Sequence, residues 1–568
     1  MKNTQPQAKE REALLQNILD SSADKIIIVA GAGTGKTYTF RQLLKKTESK
    51  NNLVMTFIRR LVNDMHKQLS DYGEIKTFHE YAIGQLYKVK GSKYELVSYL
   101  PKLIKMDASL TGLNFKDFQS RFQILEENCG EIKYYLERGD YYKAVSFDDS
   151  VYRLYKHCIE NTLELPEYDL ILIDEYQDFN KMEVAVIKEL ESRGRILIAG
   201  DDDQAVYSGR NSTSDHLRAL FNSSEYESYE LPFCSRCPEV IVESVNGFIA
   251  NVSKKGYLNN RIERRYIPFT EDKKDLNNKY PKVITACLTT FPIITKFIES
   301  EIKKIDEDDI VESHNEENPY PTALIIGTRQ YLNHIYKKLK PKFRHIIYNP
   351  STDADYNYFD AYKLLRKNEE SNLGWRIISE LFLDSKQLKE LVEKSYDNEP
   401  IIMHLNENFI DEQKYNITLV NSLDVESDTY EDVLKELTNR LGKHYDSFKL
   451  GYKESLIQEE EVIIDKTEPH LLLTSYEGCK GLSGGHVFIV GAVNGNMPRN
   501  QDSISDIEIS KFIVAMTRTR KCCYILSNKW QFDPKKDSFP SKPSIFLDFI
   551  PNEFMEDRGT LKSADISI

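Results

Sequence analysis

A chain of 568 residues is long enough for several domains, each with its own core. With 40% hydrophobic and 29% charged residues it has the composition of an ordinary soluble protein, which excludes a low-complexity or fibrous chain. No apolar run approaches the ~20 residues of a membrane helix, and the net charge of −13 gives no hint of nucleic acid, although binding follows the local field and not the sum.

Residues 1–6 carry no apolar segment of the kind a secretion signal needs. The eight cysteines lack framework spacing, which fits a reducing cytoplasm. Cys234 and Cys237 form one C-x-x-C with no second pair near it, so incidental thiols outweigh a zinc site. Acidic residues gather at 306–317 and 459–461, basic ones at Arg59-Arg60, Lys254-Lys255, Arg264-Arg265 and 337–344; solvated faces are the commoner reading of each.

The first strong element is the β-branched run 25–29, which reads as a buried strand. Ala30-Gly31-Ala32-Gly33-Thr34-Gly35-Lys36-Thr37 follows, and then 38–46 with helical spacing and Phe40, Leu43 and Leu44 on one side. Strand, glycine-rich turn and helix are the setting of a P-loop. Gly31, Gly33 and Gly35 let the backbone curl with its N–H groups inward around phosphate oxygens, and the helix adds the positive end of its dipole. Lys36 reaches the β- and γ-phosphates and the Thr37 hydroxyl suits Mg²⁺. Ala30 is a small departure, since Gly is usual there.

Further along, 52–57 and 75–79 read as strands, with a helix at 59–69 between them. Residues 82–165 have little strand signal and read as a mostly helical insertion. Strands return at 170–174 and 195–200, and alternation with helices argues for a parallel sheet covered on both faces. A second set at 283–286, 322–327, 471–474, 486–490 and 524–527 makes a second α/β domain, interrupted at 346–465 by a region of mixed helix and loop signals. Beyond Trp530 the prolines and acids suggest a loosely packed tail. The expected division is 1–81 and 166–228 for the first domain, with 82–165 inserted. The second takes 229–345 and 466–535, with 346–465 inserted, and the tail is 536–568.

Asp174 and Glu175 close one predicted strand, and Asp201-Asp202-Asp203-Gln204 closes the next. In parallel α/β sheets that edge is where ligands bind. Asp174 suits the Mg²⁺ shell, Glu175 is placed to polarise an attacking water, and Gln204 is the kind of neutral group that senses a γ-phosphate.

The order of these motifs resembles the superfamily 1 DNA helicases of the UvrD/Rep/PcrA family. AGAGTGKT (30–37), TFIRRLVNDM (56–65), Thr77-Phe78-His79, DEYQD (174–178) and GDDDQAVYSGR (200–210) are similar to its motifs. So are Leu231 through Pro238, Lys480-Gly481-Leu482 and Val514-Ala515-Met516-Thr517-Arg518. The likeness covers about 20–250 and 320–530. It implies two RecA-like domains in tandem with ATP and Mg²⁺ in the cleft between them, and a cytoplasmic enzyme that hydrolyses ATP to move 3′→5′ on DNA. Lys36, Glu175 and Gln204 would act with Arg236 and Arg518, two arginine fingers, as the catalytic set. Residues 30–37, Arg236 and Gly481 would bind nucleotide, and Thr37 and Asp174 the metal. A glutamine would meet adenine; Gln7 and Gln16 both qualify, and spacing favours Gln16. Thr56, Phe57, Thr77, His79 and Tyr207 would touch single-stranded DNA, and for Phe57 core packing is an equal reading. Tailed or forked duplex would be the wider substrate and no membrane is involved. Alternatives are a motor serving a nuclease in repair or phage defence, and a nucleotide-gated DNA sensor.

Four departures from the family stand out. Gly209 stands where an aromatic stacks on a base, Ser235 where a Tyr stacks on adenine, and Ser483 where a Glu contacts ribose. Both insertions look short.

Overall fold

The structure is a computed structural model. It describes residues 4–56, 62, 65–66, 69–89, 93–126, 129–269, 280–315, 319–348, 358–424, 427–457, 466–533 and 536–567. Phe57, Arg59 and Arg60 lie outside these residues, as does the acidic run 459–461. The chain divides into two compact units. One is Met1–Tyr81 with Leu165–Ser351 and Ile464–Ile568, and the other is Ala82–Glu164 with Thr352–Ile463.

The first unit holds two parallel sheets. The first sheet contains β1 (Lys25–Ala30), β2 (Asn52–Thr56), β3 (Glu74–Thr77), β4 (Leu170–Ile173), β5 (Arg195–Gly200) and β6 (Glu227–Leu231). Their spatial order is β3-β2-β4-β5-β1-β6. Ile27, Val29, Ile171, Ile173 and Ile198 fill one face, while Ile26, Ile28, Leu172 and Leu197 pack against Phe40, Leu43 and Leu44 on the other. Burial of both faces is why these strands are unbroken apolar runs. Helix α1 (Thr4–Asp20) precedes β1, and α2 (Lys36–Thr47) follows the P-loop.

The second sheet contains β7 (Val283–Leu288), β8 (Ala323–Ile326), β9 (Ile346–Tyr348), β10 (Leu471–Thr474), β11 (Gly484–Val490), β12 (Thr519–Asn528) and β13 (Met555–Leu561). The order is β9-β10-β8-β11-β12-β7-β13. One face packs on α3 (Glu239–Lys254) and α4 (Asp506–Met516) through Val245, Phe248, Phe512 and Ile513. These are the tandem RecA-like α/β domains that the motif order leads one to expect.

The tail departs from expectation. Met555–Leu561 pairs in parallel with β7 as an edge strand, and Phe546, Phe549 and Ile550 are buried against Phe248. The strand reads MEDRGTL, so backbone pairing holds it at the edge and no apolar alternation betrays it. Residues 346–348 likewise extend the second sheet, and β6 had no predecessor in the sequence reading.

The second unit is mostly helical, and the two insertions meet within it. Asp107 is fully buried and accepts hydrogen bonds from Arg376 Nε (2.7 Å), Arg138 Nη2 (3.4 Å) and the Tyr142 hydroxyl. Arg376, itself fully buried, also pairs with Glu380 at 3.0 Å.

Candidate functional site: a nucleotide cleft

The groups of interest cluster at the C-terminal ends of β1, β4 and β5. Gly33 and Gly35 adopt φ of +70° and +95°. A Cβ at Gly33 would lie 2.4 Å from Cβ of Arg236, and one at Gly31 would lie 2.2 Å from the Tyr266 ring. Close approach requires glycine at both, and the left-handed turn requires it at Gly33 as well. The Thr34 hydroxyl donates to the Gly31 carbonyl at 2.9 Å and closes the loop.

Lys36 Nζ, at the start of α2, donates to Glu175 Oε1 at 2.9 Å and lies 3.6 Å from Asp174 Oδ1. Burial pushes the Lys36 ammonium down, but Glu175 and Asp174 outweigh it and hold the group above its ordinary value. The same balance holds Glu175 ionised: burial raises it, and Lys36 and Lys480 pull it well below the carboxylate range. Glu175 sits in the left-handed region at φ 57°, which turns its carboxylate back toward the P-loop. Burial raises Asp174. Gln177 ties the two strand ends together, donating to Glu175 Oε2 at 2.6 Å and accepting from Asp201 N at 2.9 Å.

From the second domain, Lys480 Nζ reaches Asp178, Glu175 Oε2 (3.3 Å) and the Gln204 carbonyl (2.9 Å). Burial lifts Asp178 to about 6 against the pull of Lys480. Arg518 Nη2 donates to Gln204 Oε1 at 3.0 Å, and its other nitrogens bond the Leu482 and Val514 carbonyls. Burial and the nearby Arg236 lower Arg518 to about 10. Lys36, Glu175, Gln204 and Arg518 therefore meet in one buried polar set. Arg236 lies against the P-loop at Gly33. Gly481, at φ +77°, turns the chain between Lys480 and Leu482.

Two groups escaped the sequence reading. Lys480 was legible only as one letter of a motif. Arg520 donates to the Ser483 hydroxyl at 2.8 Å, and burial and the nearby Arg236 lower its pKa. Its signal was the second arginine of Thr517-Arg518-Thr519-Arg520.

Other expected residues have visible local duties. Thr77 and Glu80 form a reciprocal cap, with Glu80 N donating to Thr77 Oγ1 at 3.1 Å. Thr56 is fully buried at the end of β2, with no hydrogen-bond partner for its hydroxyl among the described residues. Burial and Arg210 lower His79 to about 3, so it is neutral at pH 7. The Tyr207 hydroxyl donates to the Glu477 carbonyl at 3.3 Å. Gln16 is exposed and donates to Asp20 at 2.8 Å on its own helix. Asp201, Asp202 and Asp203 are the one grouping of three carboxylates among the described residues with metal-like spacing. Arg261, Arg264 and Tyr266 take up their oxygens. The C-x-x-C thiols donate singly to backbone carbonyls, Cys234 to Ala32 at 3.2 Å and Cys237 to Thr517 at 3.3 Å.

This arrangement is that of tandem RecA-like P-loop domains. A family model described as an AAA domain matches residues 11–210. The "Probable DNA helicase II homolog" of Mycoplasma genitalium is 22% identical over 94% of this chain and 86% of its own length. "ATP-dependent DNA helicase Rep" of Buchnera aphidicola is 23% identical over 95% of this chain and 98% of its own. "DNA helicase II" of Haemophilus influenzae is 29% identical over 27% of this chain, which spans 21% of that protein. Over most of its length the chain is thus similar to helicases of the UvrD/Rep-like superfamily 1 group. Among the described residues no helix is long and apolar enough to cross a membrane.

Proposed function

We propose that this protein is an ATP-dependent DNA helicase that translocates 3′→5′ along single-stranded DNA in the cytoplasm and opens tailed or forked duplexes. The names of its relatives support DNA as substrate. The observation that carries the reading is the shared polar set of Lys36, Glu175 and Gln204 from one domain with Lys480 and Arg518 from the other. A motor needs hydrolysis tied to closure of two domains, and guanidinium and ammonium groups crossing that cleft supply the tie.

The residues suggest how. A triphosphate in the P-loop competes with Glu175 for Lys36. Glu175 then loses one of the cations that keep it strongly acidic, and its carboxylate gains basicity as water comes within reach. Arg518 and Arg236 offset the charge that develops on the γ-phosphate. Thr37 and Asp174 are oxygen donors of the kind a hard cation takes and would hold Mg²⁺, which neutralises charge between the β- and γ-phosphates when bound. Tyr207 and Phe57 are candidates for stacking on bases.

The test is ATP-driven displacement of streptavidin from biotinylated oligonucleotides. Movement 3′→5′ expels streptavidin from the 5′ end and leaves the 3′ end occupied. Displacement at the 3′ end alone contradicts the direction, and none at either end contradicts translocation. The sensor reading draws on Gly209, which offers no ring where the family's aromatic would stand, and among the described residues beyond its chain neighbours no atom lies within 4 Å of a would-be Cβ.

A further inference from the structure

A nucleotide whose phosphates fill the loop at 31–37 must place its base one ribose beyond the loop, at the rim. That rim is furnished with groups the phosphate chemistry does not use. Ser235 cannot supply a platform, because its N–H and hydroxyl both donate to the Gly33 carbonyl at 2.9 Å and its side chain is folded onto the loop. The segment that follows α3 returns to the same place. Tyr266 abuts Gly31, Ile267–Pro268 pairs in parallel with Phe233–Cys234, and Phe269 N donates to the Cys234 carbonyl at 3.0 Å. This short ribbon fixes the next side chain, Phe269, whose ring centroid lies 6.0 Å from that of Phe233. Phe233 is itself buried, whereas Phe269 is half-buried.

Arg11 lies over one face of the Phe269 ring. Its guanidinium sits 4.3 Å from the centroid of the Phe269 ring. Its Nη2 would lie 3.2 Å from a Cβ at Gly35, the residue that caps the N-terminus of α2. Burial lowers the Arg11 pKa, and Tyr38 lies near enough to work against that shift. Tyr38 itself is 51% exposed, two residues past Lys36. An aromatic face, a planar cation on a flexible stem and a second exposed ring thus meet at the mouth of a phosphate loop.

We propose that Phe269 is the base-stacking residue of the nucleotide site, with Arg11 closing over the other face of the base. Arg11 swings outward by about the 3.5 Å thickness of a ring and the base takes its place on Phe269. Both faces of the base then meet planar groups, a ring and a guanidinium. Purines, with the larger stacking area, are favoured over pyrimidines. Stacking reads a face and not an edge, so ATP and GTP bind with similar strength. The inference deepens the nucleotide-site reading and rests on it.

The test is equilibrium binding of ATP, GTP, CTP and inorganic tripolyphosphate to the full chain and to its F269A, F269Y and R11A variants. F269A is expected to weaken ATP and GTP by about fivefold to tenfold, CTP less, and to leave tripolyphosphate unchanged. F269Y restores the loss, and R11A weakens purines without touching tripolyphosphate. Wild-type ATP affinity in F269A overturns the inference. So does an equal loss of tripolyphosphate, which would mean that the ring shapes the loop and not the base site. If the unaltered chain binds none of the four, the P-loop assignment falls and the platform with it.

Discussion

Asp178 shows how one carboxylate is set by opposing forces. Burial raises it to about 6 while Lys480 pulls the other way. Its folded value lies above the ordinary 3.8, so the fold favours the protonated acid. The sign follows: its contribution to stability is full below the unfolded value and fades as pH rises through about 6. The ion pair with Lys480 runs the opposite way, complete above pH 6 and lost below. If that pair holds the cleft in register, the ATPase should show an acidic limb near pH 6 that D178N removes. A limb unchanged in D178N would assign the titration elsewhere. At Gly209 the expectation concerns grip. Among the described residues beyond its chain neighbours, no atom lies within 4 Å of a Cβ there, so G209W meets no immediate clash, and base–aromatic stacking is worth ~1–3 kcal/mol. Single-stranded DNA should bind several-fold tighter or more by fluorescence anisotropy, and equal affinity would show that no base passes that position.

At the scale of elements, the segment 258–269 is anchored by charge. Arg264 is 1% exposed at its side chain and engages Asp201, Asp202 and Asp203, while Arg261 holds Asp203 through two nitrogens. Removing one partner of a buried ionic set costs about 3–5 kcal/mol, because the remaining charges stay buried. R264M should lower the free energy of unfolding by an amount of that order, seen as a lower denaturation midpoint, and R265M, at an exposed neighbour, should not. Equal midpoints would show that the trio is hydrated in solution. Arg264 and Arg265 were indistinguishable in sequence, two basic letters on an acidic chain. What separates them is tertiary: the ribbon at Ile267–Pro268 fixes which of the two faces the end of β5. The P-loop, Asp174, Glu175 and Gln204 were legible as strand-end positions, and their roles only from the ordered set of motifs they belong to. Lys480, Arg520 and Phe269 were not, since their meaning lies in partners hundreds of residues away or across a turn. The edge strand Met555–Leu561 was missed for a different reason: a half-exposed edge needs no apolar pattern.

The whole molecule couples a phosphate site to its second domain through few groups, and carries its two insertions as one helical unit around the buried Asp107. Melting DNA opposes a stacking cost of about 1.4 kcal/mol per base-pair step. A motor without a ring at Gly209 loses ground against that load more readily than it loses its track. Streptavidin displacement should therefore be robust where single-turnover unwinding of a 3′-tailed duplex by the chain alone is weak, and processive unwinding would contradict this. The central claim is that nucleotide hydrolysis at Lys36 and Glu175 is coupled to DNA. Its most direct test is the steady-state ATPase rate of the full chain and of E175Q, each with and without single-stranded DNA. The account expects a DNA-stimulated rate in the unaltered chain and a loss of about 10²-fold or more in E175Q with ATP still bound. An E175Q rate equal to the unaltered one, or a rate indifferent to DNA, would contradict it.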